Sequence, residues 1–303
     1  MATYTTVDDI DIGAVTTAYN LTEPTFDTLK GGYANSSFSV DTPTGRYVLT
    51  YLDNHTPTTA QHLAELTQAL HHNGFRTTEP IPTIDGHLTT TINGRPVMLK
   101  HWIEGHVLDP LPDELLTDAG AALAHLHNLP DTIPNLPQRT RRLSRETETH
   151  TEEFADREFA DWITTRLDRV RDLHSTQPDT FTHGDLFADN IIVCPDNSLV
   201  ILDWETASND DPLLDLGMTV VGLIGTAARL TTERVHRIIY GYNRIRHLGS
   251  TDQHLLPRMI EHAGLIIAFH RYYRHNVRYP NPDYADMYRS MVAFVEAVDG
   301  IEL

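Results

Sequence analysis

The run His183-Gly184-Asp185-Leu186-Phe187-Ala188-Asp189-Asn190 continues into Ile191-Ile192-Val193 and is followed by Val200-Ile201-Leu202-Asp203-Trp204. It constrains the fold more than any other stretch. Two short apolar runs flank the turn-forming pair Asp196-Asn197 and read as a hairpin. Asn190 then stands at the start of the first strand and Asp203 at the end of the second, so the hairpin brings them near each other. Two oxygen-bearing side chains at one end of a buried hairpin suit a hard cation such as Mg²⁺, which takes oxygen ligands and keeps waters and phosphate oxygens. Asp185, in the loop just ahead, is positioned to accept a proton from a hydroxyl. A carboxylate that orients a hydroxyl, with an Asn and an Asp to hold metal on phosphates, is the usual arrangement for phosphoryl transfer from a nucleotide.

The rest of the chain must supply a frame for that unit. With 303 residues, two lobes are expected rather than one core. Hydrophobic residues at 40% and charged residues at 21% provide a large core and argue against disorder. The balance of 23 Lys+Arg against 42 Asp+Glu gives −19, a field that repels phosphate backbones, so no nucleic-acid partner is expected. Only Lys30 and Lys100 are lysines. A lone cysteine, Cys194, excludes an intramolecular disulfide and a cysteine metal cluster. Residues 1–12 lack a basic n-region and an apolar h-region, so no signal peptide is expected. The apolar stretches 218–228 and 263–269 are too short to span a bilayer. A soluble cytoplasmic protein is the expectation, without a membrane partner, as monomer or homodimer.

The element pattern changes along the chain. Residues 7–19 suggest a leading helix, 26–29 a strand, and Gly31 to Asn35 a turn. Strands at 36–40 and 46–51 flank a Pro43-Thr44-Gly45 turn. Thr58 or Thr59 is the expected cap of a helix reaching His72 and ended by Gly74. Strands follow at 80–84, 87–92 and 96–102. Beyond Gly105 the pattern turns helical, at 113–128, 144–174, 213–229, 232–248, 253–275 and 282–298, interrupted by the unit at 180–203. The class is α+β, with a small mixed α/β N-lobe at 1–103 and a larger, mainly helical C-lobe at 104–303.

His183-Gly-Asp185-(four residues)-Asn190 with Ile201-Leu-Asp203-Trp resembles the aminoglycoside phosphotransferase/choline kinase superfamily. The run His-Gly-Asp-Leu-Phe-Ala-Asp-Asn is most similar to its homoserine kinase-like members. So is Gly31-Gly-Tyr-Ala-Asn35-Ser-Ser-Phe-Ser-Val40 with Tyr47-Val-Leu-Thr50. The resemblance covers about residues 20 to 300 and implies a bilobal protein-kinase-like fold with ATP in the cleft. It implies ATP- and Mg²⁺-dependent transfer to a hydroxyl of a small molecule. Homoserine is the first expectation for the acceptor, an aminoglycoside or choline-type alcohol the alternative, and a nucleotide-binding scaffold with little turnover a remote one. Residue by residue, it implies Asp185 as the catalytic Asp and Asn190 and Asp203 as metal ligands. Gly31, Gly32, Asn35, Ser36 and Ser37 fall in the loop over the nucleotide phosphates. Lys100, His101 and Trp102 fall within the hinge at 99–103, whose backbone pairs with adenine. The segment from Asp211 to Leu216 matches one that buttresses the catalytic loop. One departure stands out: the cation usual on the third strand is Thr50 here. Lys30, Arg46 and Arg76 are candidate replacements, and Glu65 is expected to lack its usual partner.

Plainer readings hold elsewhere. His183 is expected to anchor its loop by a buried hydrogen bond, and Asp211 to cap a helix before Pro212. Asp215 is expected to be structural. Glu205 and Asp210 either face the substrate or are solvated loop carboxylates. His71-His72 and the His125/His127 pair point to no metal site, since i and i+2 on a helix face apart. Cys194 is expected to be buried, and 139–142 to be a solvated loop. The basic aromatic run 271–278 is read as a helix end, a substrate wall or a dimer contact.

Overall fold

The computed structural model describes residues 5–29, 35–130 and 132–301. In chain order the elements are α1 (Ile12–Tyr19), β1 (Thr25–Thr28), β2 (Ser36–Thr42), β3 (Gly45–Tyr51), α2 (Pro57–His72), β4 (Pro80–Ile81), β5 (Thr90–Ile92), β6 (Arg95–His101), β7 (His106–Val107), α3 (Leu116–His127), α4 (Arg145–Thr149), α5 (Arg157–Val170), β8 (Thr180–Thr182), β9 (Ile191–Val193), β10 (Leu199–Ile201), β11 (Ser208–Asp210), α6 (Pro212–Ile224), α7 (Thr232–Asn243), α8 (Ser250–Tyr272) and α9 (Met287–Val298). They fall into two compact units. The first holds Met1–His106, Thr132–Asn135 and Ile192–Glu205; the second holds Val107–Asp131, Leu136–Ile191 and Thr206–Leu303.

The first unit is built on an antiparallel sheet in the order β1-β2-β3-β6-β4, with β5 also on β6. Side chains alternate across it. Phe38, Val40, Leu49, Tyr51, Val97 and Leu99 form one apolar face, closed by Val15 and Tyr19 of α1. The opposite side meets α2 through Met98, Ala60, Ala64 and Leu52. Thr56, rather than Thr58 or Thr59, caps α2. Its hydroxyl accepts from Thr59 N–H while Thr59 Oγ1 accepts from Thr56 N–H, and Pro57 opens the first turn. The expected leading helix splits because Asp11 caps α1 by accepting from Ala14 N–H. The expected strands at 80–84 and 87–92 shrink to β4 and β5 because Gly86 and Thr83 make a turn over His87. The hairpin β9–β10 belongs with this unit. Thr77 bridges Ile201, and its hydroxyl donates to Ile201 O at 2.8 Å.

The second unit is helical, with the small β8–β11 ribbon. Every residue of α6 is buried. Asp211 caps it by accepting from Leu213 N–H, with Pro212 at the first position, as expected. Helix α6 packs on α8, which packs on α9, while α3 packs on α7. That last contact is set by glycines: a Cβ on Gly120 would lie 2.0 Å from Ile238 O, and one on Gly241 1.8 Å from Thr117 O. The expected helix at 144–174 breaks into α4, a 3₁₀ turn and α5, because Asp156 caps α5 and Phe154 leaves the helical region. Among the described residues no helix is long and apolar enough to cross a membrane.

Candidate active site

Strand β8 ends at Thr182, and the chain then turns through His183 and Gly184 into the Asp185 loop. Gly184 has φ +76°, and a Cβ there would lie 3.0 Å from both Thr206 O and Arg141 Cδ, so this turn requires glycine. Asp215, one turn into α6, holds the loop from behind. Its Oδ2 accepts from His183 N–H at 2.7 Å and its Oδ1 from Gly184 N–H at 2.7 Å. His127 Nε2 lies 3.0 Å from the same Oδ2, and His127 Nδ1 lies 2.7 Å from the Tyr242 hydroxyl. Burial opposes charge on Asp215, but His127, His183 and the backbone donors outweigh it and hold the carboxyl below its usual range. Burial pulls His127 below the ordinary imidazole range despite Asp215. The ring thus bridges Asp215 and the Tyr242 hydroxyl through its two nitrogens. The sequence offered no signal for His127 beyond its place on the buried face of α3.

His183 is fully buried, as expected, and its Nδ1 accepts from Asp185 N–H at 3.2 Å. Asn190 Nδ2 donates to Asp185 O at 2.9 Å, which commits its N–H side to the loop and leaves Oδ1 as the outward acceptor. Arg271, on α8, bonds the Ser290 hydroxyl at 3.0 Å. Burial lowers its pKa, and the charge of Asp185 opposes that. The 139–142 segment is not a solvated loop: Arg141 N–H and Thr140 Oγ1 donate to Asp210, and Arg142 pairs with Asp211 at 2.8 Å. Asp210 is therefore structural, and burial raises its pKa over the opposing hydrogen bonds.

The first unit carries Asp203, at φ +62°, a left-handed conformation that Asp tolerates better than most residues. Its Oδ1 accepts from Glu205 N–H at 3.2 Å. Trp204 anchors it: Nε1 donates to Thr77 Oγ1 at 2.8 Å, and the ring meets Phe75 edge-on at 5.5 Å. Asn35 Nδ2 donates to Glu205, and His55 Nε2 lies 3.3 Å from the same oxygen. Burial opposes charge on Glu205, yet the His55 and Asn35 bonds and the charge of Lys100 hold its pKa below the usual value. Glu65 does find partners, Gln61 and Asn135. Asn135 comes from a distant segment, so no local pattern pointed to it.

Gly31, Gly32 and Lys30 lie outside the described residues. The Ser36 hydroxyl is engaged by Asp53 at 2.6 Å and by Thr5 N–H at 2.9 Å, while Ser37 pairs with Thr50 at 3.2 Å. In the hinge segment, His101 N–H donates to Glu79 O and Trp102 N–H to Arg46 O. Arg46 lies over the Trp102 ring at 3.8 Å and pairs with Asp41. Trp102 Nε1 is buried without a hydrogen-bond partner among the described residues. Cys194 is half-buried rather than buried, since it closes the exposed β9–β10 turn.

Asn190 in the second unit and Asp203 in the first each offer an oxygen of the kind a hard cation takes, and the Asn190 amide is oriented by its bond to Asp185 O. Among the described residues no group of three or more His, Cys, Asp or Glu could hold a metal by itself.

Residues 25–251 match the phosphotransferase enzyme family. A homoserine kinase of Neisseria meningitidis serogroup B is 26% identical over 273 residues, 88% of each chain. A homoserine kinase of Methylobacillus flagellatus is 25% identical over 244 residues, 78% of this chain and 76% of its own. The crystal structure of a spectinomycin phosphotransferase in complex with ADP and spectinomycin superposes with a TM-score of 0.67 at 15% identity, covering 95% of this chain and 96% of that one. The α+β fold is therefore shared.

Proposed function

The chain belongs to the phosphotransferase enzyme family and is an ATP-dependent phosphotransferase acting on a hydroxyl group; from that premise we propose that its acceptor is homoserine or a closely similar hydroxy amino acid. The acceptor oxygen attacks the γ-phosphorus, ADP leaves, and Asp185 orients the hydroxyl and takes its proton. Asn190 and Asp203 would hold Mg²⁺, which would supply neutralising charge at the phosphate oxygens. Base recognition falls to the carbonyl side of 99–103, because the His101 and Trp102 N–H groups are engaged within the first unit. An ATP-using enzyme of this kind is placed in the cytoplasm.

The acceptor class is supported by the electrostatic interaction of the Arg271 guanidinium with Asp185 within the second unit. A cation felt at the proposed hydroxyl-orienting carboxylate favours an acceptor with its own carboxylate over choline and aminoglycosides. The homoserine kinase relatives support the same choice.

The test is ADP release across homoserine, serine, choline, methylthioribose and aminoglycosides. Homoserine is expected to give the highest kcat/KM. Asp185→Ala should abolish turnover and keep nucleotide binding. Arg271→Gln should raise the KM for homoserine by about 10- to 100-fold, as expected for one charge-assisted hydrogen bond. Preference for a cationic alcohol overturns the acceptor assignment, and full turnover in Asp185→Ala overturns the mechanism.

A further inference from the structure

We propose that Lys100 is the phosphate-directed cation of this protein, supplying from strand β6 the charge that Thr50 does not supply on β3. The inference rests on the ATP-dependent reading above and adds a residue role to it. In the antiparallel β3–β6 pair, Thr50 lies opposite Met98 and Val48 opposite Lys100. Opposed residues of such a pair share a face, and positions two apart return to it. Thr50, Met98, Val48 and Lys100 therefore point to one side of the sheet, as do Ser37 and Ser39, which oppose Thr50 and Val48 from β2. The other side is the apolar face packed on α1. Lys100 is thus the diagonal neighbour of Thr50, roughly 7–8 Å away between Cβ atoms, within reach of a long flexible side chain.

What lies ahead of that side chain fits the role. Burial lowers the Lys100 pKa, and the charges of Asp203 and Glu205 oppose that. Lys100, a half-buried residue, interacts electrostatically with carboxylates of the 192–205 segment, one of them a proposed metal ligand of the same unit. Two other arginines among the described residues of the first unit are engaged elsewhere. Arg46 is bonded to Asp41 and stacked on Trp102, and Arg95 is engaged with Asp53 and Thr5. A lysine kept in so lysine-poor a chain, on the face where Thr50 leaves a gap in charge, neutralises its carboxylates in the free protein and the nucleotide phosphates in the bound one.

The experiment compares binding of ATP, ADP and adenosine by calorimetry in EDTA, alongside turnover with Mg²⁺. Lys100→Met should weaken ATP and ADP binding by about 10- to 100-fold, as loss of one charge-assisted hydrogen bond implies. Adenosine binding should stay within about twofold, since adenosine carries no phosphate to meet the charge. Lys100→Gln serves as the second variant if Lys100→Met does not fold, with the same expectation. Thr50→Lys added to Lys100→Met should recover part of the lost ATP affinity by restoring a cation to the same face. Equal loss for adenosine and ATP, or unchanged ATP binding, assigns Lys100 a structural role and overturns the inference while leaving the proposed reaction intact. Absence of ATP binding in the unsubstituted protein overturns both.

Discussion

Replacing Asp215 by Asn tests the support behind the loop that carries Asp185, the proposed catalytic residue. The carboxylate accepts from His183 N–H and Gly184 N–H, both at 2.7 Å, and faces His127 Nε2 at 3.0 Å, in a site 3% exposed. An Asn keeps one oxygen. Its best placement puts that oxygen where Oδ2 stands, which preserves the His183 and His127 bonds and turns the amide nitrogen toward Gly184 N–H. Two donors then face each other in a dry pocket. The loss is one charge-assisted bond plus one unsatisfied backbone N–H, about 2–4 kcal/mol together. Urea unfolding followed by tryptophan fluorescence should show that shift. Turnover should fall more than nucleotide affinity, because a small displacement of Asp185 costs far more in kcat than in binding. Tyr242→Phe is the control: it removes only the hydroxyl at His127 Nδ1 and should cost about 1 kcal/mol. Because Asp215 is held below its ordinary value of 3.8, its charge stabilises the fold above that pH, and the stabilisation is lost as pH falls through the lower folded value. The Asn variant should therefore show a shallower loss of stability below about pH 4. A midpoint shift equivalent to less than about 0.5 kcal/mol, with kcat unchanged, refutes the reasoning.

Two further outcomes follow from particular residues. His262 is 1% exposed, accepts from Arg142 Nη1 at 3.1 Å, and is lowered by burial and then by Arg142 to about 3, from 6.5. The unfolded chain takes up that proton below pH 6.5 and the folded chain does not until about 3, so stability falls with pH across that window, by at most about 1.4 kcal/mol per unit; His262→Asn should flatten this limb in acid titrations of thermal stability. Gly184→Ala places a Cβ 3.0 Å from Thr206 O at φ +76°, which should cost about 1–3 kcal/mol and lower kcat; a melting temperature equal to the parent's contradicts the left-handed turn.

Local chemistry made much of the molecule legible before its structure. The Asp196-Asn197 turn, the alternation in β2 and β3, and Asp211-Pro212 ahead of an apolar run each depend on residues a few positions apart. Periods of 2.0 and 3.6 and the preferences of turn and cap residues act at that range, so the hairpin and α6 could be read directly. The cap of α2 was misread even at that range: Thr56 caps it rather than Thr58 or Thr59, because Pro57 occupies the first helical position and Thr59 completes the capping box.

The sequence by itself determined the residue types proposed for phosphoryl transfer, their spacing in the Asp185–Asn190 loop, and the α+β class. Tertiary structure alone decided what supports them. Asp215 meets His127 across 88 positions, Asn35 meets Glu205 across 170, and Glu65 meets Asn135 across 70. Lys100 came to share a face with Thr50 through the register of two strands about fifty residues apart. No short-range pattern encodes such pairs, because they form only when buried polar groups brought together by the collapse of distant apolar segments must satisfy one another.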